Sequence, residues 1–251
     1  MTKEIVKWDE VFKSFGKHEV LKGLTLSVFE GETLTIIGGS GSGKSVMLKL
    51  LLGLISPDLG RVLFDGMDIT KMRMRELIGV RRQIGMLFQG GALFDSLTVG
   101  ENVAYPLKEQ LEKKGYSEDK IREIVVKKLA LVGLEDVVDK YPSDLSGGMK
   151  KRVALARAIA ADPRLVLYDE PTTGLDPANT RRINHLIRDI QRECKVTSIV
   201  VTHDMESAFF VSDRIAMLYN KKIEFVGTPD EVMKSDNKIV KNFVNGYIGD
   251  D

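Results

Sequence analysis

Over Ile5 to Phe15, Leu24 to Phe29 and Arg61 to Phe64, apolar and polar residues alternate or apolar residues run together in short blocks. That spacing belongs to strands, so each block predicts one. Glu30-Gly31-Glu32 reads as a turn between strands. Leu34-Thr35-Ile36-Ile37 predicts a further strand, and the apolar run Val46 to Leu52 predicts a helix. Ile84 to Phe88 reads as a buried strand ending at Gln89. Beyond it the character changes: from about Val99 to Ala161 the spacing is helical and no good strand appears. Ser117 opens one helix with a polar cap and early acids, and Ile121, Ile124, Val125, Lys128 and Leu129 form its stripe. Ser146 opens another, whose stripe is Met149, Val153, Ala156 and Ile159. Strands resume at Leu165 to Tyr168 and Ser198 to Val201. Each is a short, mainly apolar run bounded by polar residues, as in parallel strands covered on both faces. A helix over Asn179 to Glu193 lies between them. Ala216 to Tyr219 and Ile223 to Val226 predict a hairpin around Asn220-Lys221-Lys222, and two short helices close the chain. The pattern predicts an α/β core over 1–89 and 162–251, interrupted by a helical subdomain over 90–161.

Composition narrows the function classes. The chain has 251 residues, room for one large α/β domain with a subdomain inserted, and 43% of them are hydrophobic, enough for an ordinary core. The formal net charge of +1 lacks the basic excess of a nucleic-acid-coating protein, so no nucleic-acid partner is expected. No apolar run reaches the length of a membrane span, and Met1-Thr2-Lys3-Glu4 does not begin a signal peptide. The single cysteine, Cys194, excludes an internal disulfide and fits a reducing compartment, so a cytoplasmic location is expected.

Between the strand at Leu34 and the helix at Val46 lies Gly38-Gly39-Ser40-Gly41-Ser42-Gly43-Lys44-Ser45. A strand, a loop of the form G-x-x-x-x-G-K-[ST] and a helix together make a phosphate-binding loop. The glycines let backbone N–H groups curl around an anion, and the helix start adds free donors and the positive end of its dipole. Lys44 can reach the β- and γ-phosphates, and the Ser45 hydroxyl can sit on Mg²⁺. ATP hydrolysis needs more groups, and the strand ends supply them. Asp169 and Glu170 emerge from Leu165 to Tyr168 where open α/β sheets place ligands. Asp169 is suited to hold Mg²⁺ through water, and Glu170 to polarise the attacking water. His203 follows Ser198 to Thr202 in the same manner and can donate to the γ-phosphate or fix the catalytic carboxylate. Gln89, ending its own strand, can reach Mg²⁺ or the attacking water. His18 and His185 lack such placement and read as surface residues. Ser146-Gly147-Gly148 builds a second anion-binding helix start, located in the helical subdomain. Two phosphate-binding helix starts in one chain suggest that the second serves a neighbour's nucleotide.

In order and spacing these residues resemble an ABC-type ATPase, and the likeness covers nearly the whole chain. In the terms of that family, Gly38 to Ser45 is the Walker A segment and Gln89 the Q-loop residue. Leu145-Ser146-Gly147-Gly148-Met149 is the signature, Leu165 to Asp169 is Walker B with catalytic Glu170, and His203 is the switch histidine. Gly174-Leu175-Asp176 matches the D-loop, which would bring Asp176 to the nucleotide, and Phe15 matches the aromatic that stacks on adenine. The resemblance implies a P-loop NTPase (RecA-like) core, an N-terminal antiparallel β-subdomain and an inserted helical subdomain. It also implies a head-to-tail homodimer with two ATPs between the phosphate loop of one protomer and the signature of the other. The helical insert would then grip integral-membrane permease subunits, with the ATPase peripheral on the cytoplasmic face of the inner membrane. Two departures touch little: Val46 stands where Thr is common, and Met149 where Gln is frequent.

A narrower likeness rests on Met86 to Val99, followed by Glu101-Asn102-Val103 and Tyr105-Pro106-Leu107. These are similar to the ATPases of Mce-type lipid transporters, including the Mla systems, in which Met149 is also usual. That likeness implies a phospholipid cargo, an Mce-domain lipid-binding protein and in some systems a STAS-domain regulator. The chain stops soon after Gly246, short of the longer C-terminal tail of some Mla ATPases, so contacts made by such a tail are not expected. A small-solute importer shares the same catalytic motifs and is the alternative expectation. A non-transport ABC protein usually carries two cassettes or a long coiled-coil insertion, and this chain has neither.

Overall fold

The computed structural model describes residues 3–114 and 116–246. In chain order the first half runs β1 (Glu4–Phe15), β2 (His18–Phe29), β3 (Thr33–Ile37), α1 (Lys44–Leu51), β4 (Leu59–Phe64), β5 (Met67–Asp68), α2 (Met74–Arg81) and β6 (Ile84–Leu87). Helices α3 (Val99–Lys114), α4 (Glu118–Leu131) and α5 (Gly147–Ile159) follow. The chain then returns to β7 (Leu165–Asp169), α6 (Pro177–Cys194), β8 (Thr197–Val201), α7 (Met205–Val211), β9 (Arg214–Tyr219), β10 (Lys222–Gly227), α8 (Pro229–Met233) and α9 (Lys238–Val244). A four-stranded antiparallel sheet has the order β2-β1-β4-β5, and a six-stranded sheet the order β10-β9-β3-β8-β7-β6. In the larger sheet β9, β3, β8, β7 and β6 are parallel, and β10 is antiparallel at its edge.

The unbroken apolar runs of the central strands follow from cover on both faces. Leu165 and Leu167 of β7 pack with Trp8, Leu48 and Leu51, towards β1 and α1. Val166 and Tyr168 point the other way, into a cluster with Val153 and Leu155 of α5 and Ile183 and Ile187 of α6. β8 alternates in the same way, with Ile199 and Val201 on the first face and Val200 on the second. A third cluster joins Ile37, Ile215 and Met217 to Ala208 of α7, Val232 of α8 and Val240 of α9.

Three sequence expectations need correction. The second strand starts at His18 rather than Leu24, because its pairing with β1 continues through Gly23, whose φ of +63° interrupts the alternation. The strand expected from Arg61 starts at Leu59. Its first residues are exposed, and Gly60 lies so close to a bulge in β1 that a Cβ there would stand 2.2 Å from the Glu10 carbonyl oxygen. Helix α5 does not present a single stripe. Gly148, Lys151, Arg152, Val153, Ala154, Leu155, Ala156, Ala158 and Ile159 are all buried, because the helix is wedged between β6, α3 and α4. Its end lies directly on β6, where a Cβ on Gly85 would come within 2.1 Å of the Ala158 carbonyl oxygen. The other two helix starts in this segment are capped as their sequences require. The Ser117 hydroxyl accepts from Lys120 N–H at 3.2 Å, and Thr98 and Glu101 exchange bonds at the start of α3. Among the described residues, no helix is long and apolar enough to cross a membrane.

Candidate functional site

β3, β8, β7 and β6 are neighbours and run parallel, so their carboxyl ends share one edge of the sheet. Along that edge, in spatial order, lie the loop Gly38 to Ser45 after β3, His203 after β8, Asp169 and Glu170 at the end of β7, and Gln89 after β6. A cavity of about 790 Å³ opens over them, lined by Phe15, Gly39 to Ser45, Gln89, Glu170 and His203. Open parallel sheets bind ligands at this edge.

The loop is shaped for an anion. Gly38 has φ +156°, and a Cβ on it would stand 2.5 Å from the Leu218 carbonyl oxygen, so only glycine fits beside β9. Gly43, at φ +111°, is the N-cap of α1; no side chain caps that helix start and no acid sits in its first turn. Its first N–H groups and the positive end of its dipole therefore face the cavity uncompensated. The Ser42 Oγ is buried in the same loop without a hydrogen-bond partner. Lys44 is buried and its Nζ donates to the carbonyls of Gly38 at 2.7 Å and Gly39 at 3.0 Å. Burial pushes its pKa below the ordinary lysine range, and the charges of Glu170 and Asp169 draw it back up.

Ser45 Oγ donates to Asp169 Oδ1 at 3.1 Å. Burial raises the Asp169 carboxyl above its ordinary value and the Glu170 charge adds to that, while the Ser45 bond opposes it. A hydroxyl and a carboxylate in contact, with the Gln89 amide beside the same cavity, are hard oxygen donors suited to Mg²⁺. No cluster of three or more His, Cys, Asp or Glu gathers among the described residues. A Mg²⁺ ion here would share its coordination with water and phosphate oxygens, as that ion commonly does.

Glu170 sits in the left-handed region, with φ +50°, an unfavourable conformation for a residue with a Cβ. Its N–H donates to the Val201 carbonyl at 2.8 Å, which fixes the turn. The bend aims the side chain at the loop of the neighbouring strands. His203 Nδ1 lies 3.0 Å from both carboxylate oxygens, and the hydroxyls of Thr173 and Thr202 donate to Oε2 at 3.2 and 3.3 Å. Such a carboxylate is oriented before any ligand arrives. With Nδ1 turned to Glu170, Nε2 is the ring atom left to meet a phosphate.

Gln89 opens a segment held from α5 by two cations that the sequence reading passed over. The Lys151 ammonium donates to the Gln89 carbonyl and, at 3.4 Å, to the Glu170 carbonyl. Arg157 donates to the carbonyls of Gly91 and Ala92 at 2.8 Å each. The available signal was four basic residues, Lys150, Lys151, Arg152 and Arg157, in a helix otherwise made of apolar residues and glycine. Phe243, Val244 and Gly246 also line the cavity; their place at the end of the chain gave no hint of it.

The remaining predicted residues divide. Phe15, about half exposed at the end of β1, lines the cavity, with Lys13 Nζ 5.4 Å from its ring centroid. Ser146, Gly147, Gly148 and Asp176 do not line it. Ser146 is exposed and its Oγ accepts from Met149 N–H at 3.3 Å, capping α5. Gly148 is buried against α6, where a Cβ would stand 2.4 Å from Asn179 Oδ1. Asn179 is in turn held by Asp176, which accepts from its N–H at 2.9 Å and its side-chain amide at 2.6 Å. His18 and His185 are exposed, the latter edge-on to Phe210 with ring centroids 4.7 Å apart.

A second groove, of about 550 Å³, opens beside Gln89 between α2, β6 and the start of the helical segment. Phe88, Phe94 and Tyr105 line it and are each more than two-fifths exposed, with the Phe94 and Tyr105 rings 4.8 Å apart.

The model of the family described as ABC transporter matches residues 21–173. The chain is 43% identical to the probable ribonucleotide transport ATP-binding protein mkl of Mycobacterium tuberculosis, over 93% of this chain and 64% of that one. It thus spans just under two thirds of that relative's length. It is 42% identical to the intermembrane phospholipid transport system ATP-binding protein MlaF of Haemophilus influenzae, over 92% of this chain and 86% of the other. The methionine import ATP-binding protein MetN of Carboxydothermus hydrogenoformans is 41% identical, over 93% of this chain and 69% of that one. Among solved structures, the dimeric post-hydrolysis state of the ATP-binding cassette MJ0796, bound to ADP and Pi, superposes with a TM-score of 0.82. It shares 35% identity, over 90% of this chain and 99% of that one.

Proposed function

The chain belongs to the ABC transporter family, and we propose that it hydrolyses MgATP as a homodimer to power phospholipid transport through a partner permease. The observation that carries the catalytic part is the shared sheet edge, where Lys44, Ser45, His203, Glu170 and Gln89 line one cavity, Asp169 is bonded to Ser45, and Ser146 lies elsewhere. In this reading the uncapped start of α1 and the loop from Gly38 to Ser45 cradle the phosphates, and Phe15 stacks on the base. Lys44 leaves the loop carbonyls to meet the β- and γ-phosphates. Ser45, Asp169 and Gln89 would hold a Mg²⁺ ion, which would supply positive charge beside the γ-phosphate. Glu170 orients and polarises the attacking water, and His203 steadies that carboxylate and donates to the γ-phosphate.

Ser146, Gly147, Gly148 and Asp176 serve the partner protomer's nucleotide. Mixing Lys44→Ala chains with Ser146→Arg chains tests this. In a mixed dimer one site carries both defects and the other neither, so ATPase activity is expected to recover partly relative to either mutant alone. A complete absence of rescue, joined with no ATP-dependent crosslink between cysteines placed at positions 146 and 42, would overturn the shared site.

The segment 90–161 acts as the arm that receives the permease, and the groove of Phe88, Phe94 and Tyr105 is the surface for it. Such exposed aromatics beside Gln89 are enriched at interfaces and suit a protein contact. In this reading the ATPase sits on the cytoplasmic face of the inner membrane.

Support for lipid as cargo is the likeness to MlaF, together with the segment Met86 to Leu107. An Mce-domain lipid-binding protein and a STAS-domain regulator are the further partners that follow. MetN favours a second reading, an importer of amino acids or another small solute. The test is to purify the native complex, reconstitute it in phospholipid vesicles and measure ATP hydrolysis and lipid transfer. Hydrolysis tied to transfer of labelled phospholipid, with an Mce-domain chain co-purifying, is the expected result. A soluble solute-binding subunit in its place, and hydrolysis stimulated by its solute, would move the assignment to the second reading.

A further inference from the structure

Lys151 is buried on α5, five residues after the exposed Ser146 that begins the helix. A buried ammonium is costly unless polar partners compensate it. Here the partners are the backbone carbonyls of Gln89 and Glu170, which follow the neighbouring strands β6 and β7. Methionine would fill the same space without a charge, so packing alone does not explain a lysine. The Glu170 carbonyl also accepts from Thr173 N–H at 3.4 Å, and the Glu170 backbone is in its strained left-handed conformation. Lys151 therefore ties three elements together at the point where the catalytic carboxylate is aimed. Arg157 repeats the contact further along α5 through the Gly91 and Ala92 carbonyls.

We infer that Lys151 is a positioning residue that locks Gln89 and the Glu170 backbone to helix α5. The helix that offers Ser146 to one nucleotide thereby sets the hydrolytic geometry at the other. This rests on the reading of Glu170 and Gln89 as hydrolytic groups. It predicts that the two ATP sites of a dimer are coupled through α5 in each chain: Ser146 senses the partner's phosphates at one end, and Lys151 reports to the chain's own carboxylate.

The test uses the full chain and three substitutions. In the nucleotide-free protein, Lys151→Met is expected to speed amide exchange at Gly91, Glu170 and Thr173 by roughly tenfold or more, with α1 and α9 unchanged. With MgATP, kcat is expected to fall by about 10–100-fold, the scale of a misplaced catalytic group. The Kd for ATP should stay close to wild type, because the phosphate loop is untouched. Lys151→Arg, which keeps long charged donors, should restore both exchange and kcat. Lys151→Gln keeps a polar group but falls short of the carbonyls. It should show the same losses in weaker form, and it decides the matter if the methionine variant does not fold. Unchanged exchange at the three amides overturns the inference, as does exchange that rises throughout the chain or a wild-type kcat. A parallel Glu170→Gln chain separates the two levels. Normal hydrolysis there sinks the reading of Glu170, whereas an inactive Glu170→Gln beside a wild-type-like Lys151→Met sinks only the role of Lys151.

Discussion

Glu170→Gln is expected to lower ATP turnover by roughly 10²–10⁴, equivalent to ~3–5 kcal/mol of barrier. The substitution keeps the size of the side chain and its acceptor oxygen, so the contacts of Thr173 and Thr202 can persist. It removes the negative charge that faces His203 Nδ1 at 3.0 Å and the basic oxygen that a water molecule would need. Gln and Glu are equally strained at φ +50°, so the turn held by the Val201 carbonyl should survive. ATP binding stays, and an ATP-held dimer should accumulate because the step that opens it is blocked. Phosphate release from the assembled complex measures the first effect, and gel filtration with MgATP the second. Hydrolysis at near-normal rate would assign the base elsewhere.

Lys44→Ala should abolish productive phosphate contact, lowering turnover by at least about 10²–10³, the scale for removing one preorganised donor. The unliganded fold should change little, because two opposing effects meet in one residue. The variant loses the bonds to the Gly38 and Gly39 carbonyls but is relieved of a buried charge whose pKa burial already lowers. The distinguishing measurement is thermal stability with and without nucleotide. At ATP about 100 times Kd the wild-type chain gains ~2.7 kcal/mol, and the variant should gain almost none at the same concentration. Full ATP-induced stabilisation of Lys44→Ala would remove this lysine from the phosphate site.

Much of this arrangement is legible in the sequence, for a physical reason. Parallel strands covered on both faces must be nearly all apolar, so Leu165 to Tyr168 and Ser198 to Val201 stand out. Whatever polar residue follows such a run has to lie at the sheet edge. That rule finds Asp169, Glu170, His203 and Gln89 without knowledge of which strand neighbours which. The lateral order is another matter. β3 lies beside β8, more than 150 residues later, because of how crossovers run over the sheet, and no local pattern encodes that. Short-range reasoning also fails where glycine bends an edge strand, as at Gly23 and Gly60. It fails again in α5, where burial on every side erases the periodicity that a half-exposed helix shows. Lys151 and Arg157 were hidden for the same reason: a charge inside a buried helix looks like an error of pattern until its carbonyl partners are seen.

Because α5 has no soft face, it cannot roll or slide alone against β6, α3 and α4. A pull on Ser146 must be answered by the helix tilting together with its neighbours. Thirteen residues at about 1.5 Å each make a rod of roughly 20 Å. A tilt of about 10° about its middle then carries each end by roughly 2 Å, a lever-arm estimate from that rise. Near that end Arg157 grips Gly91 and Ala92, beside the aromatic groove. An ångström-scale closure over a phosphate would thus arrive at the groove as a displacement of similar size and opposite sense, with the stiffness of a packed core behind it.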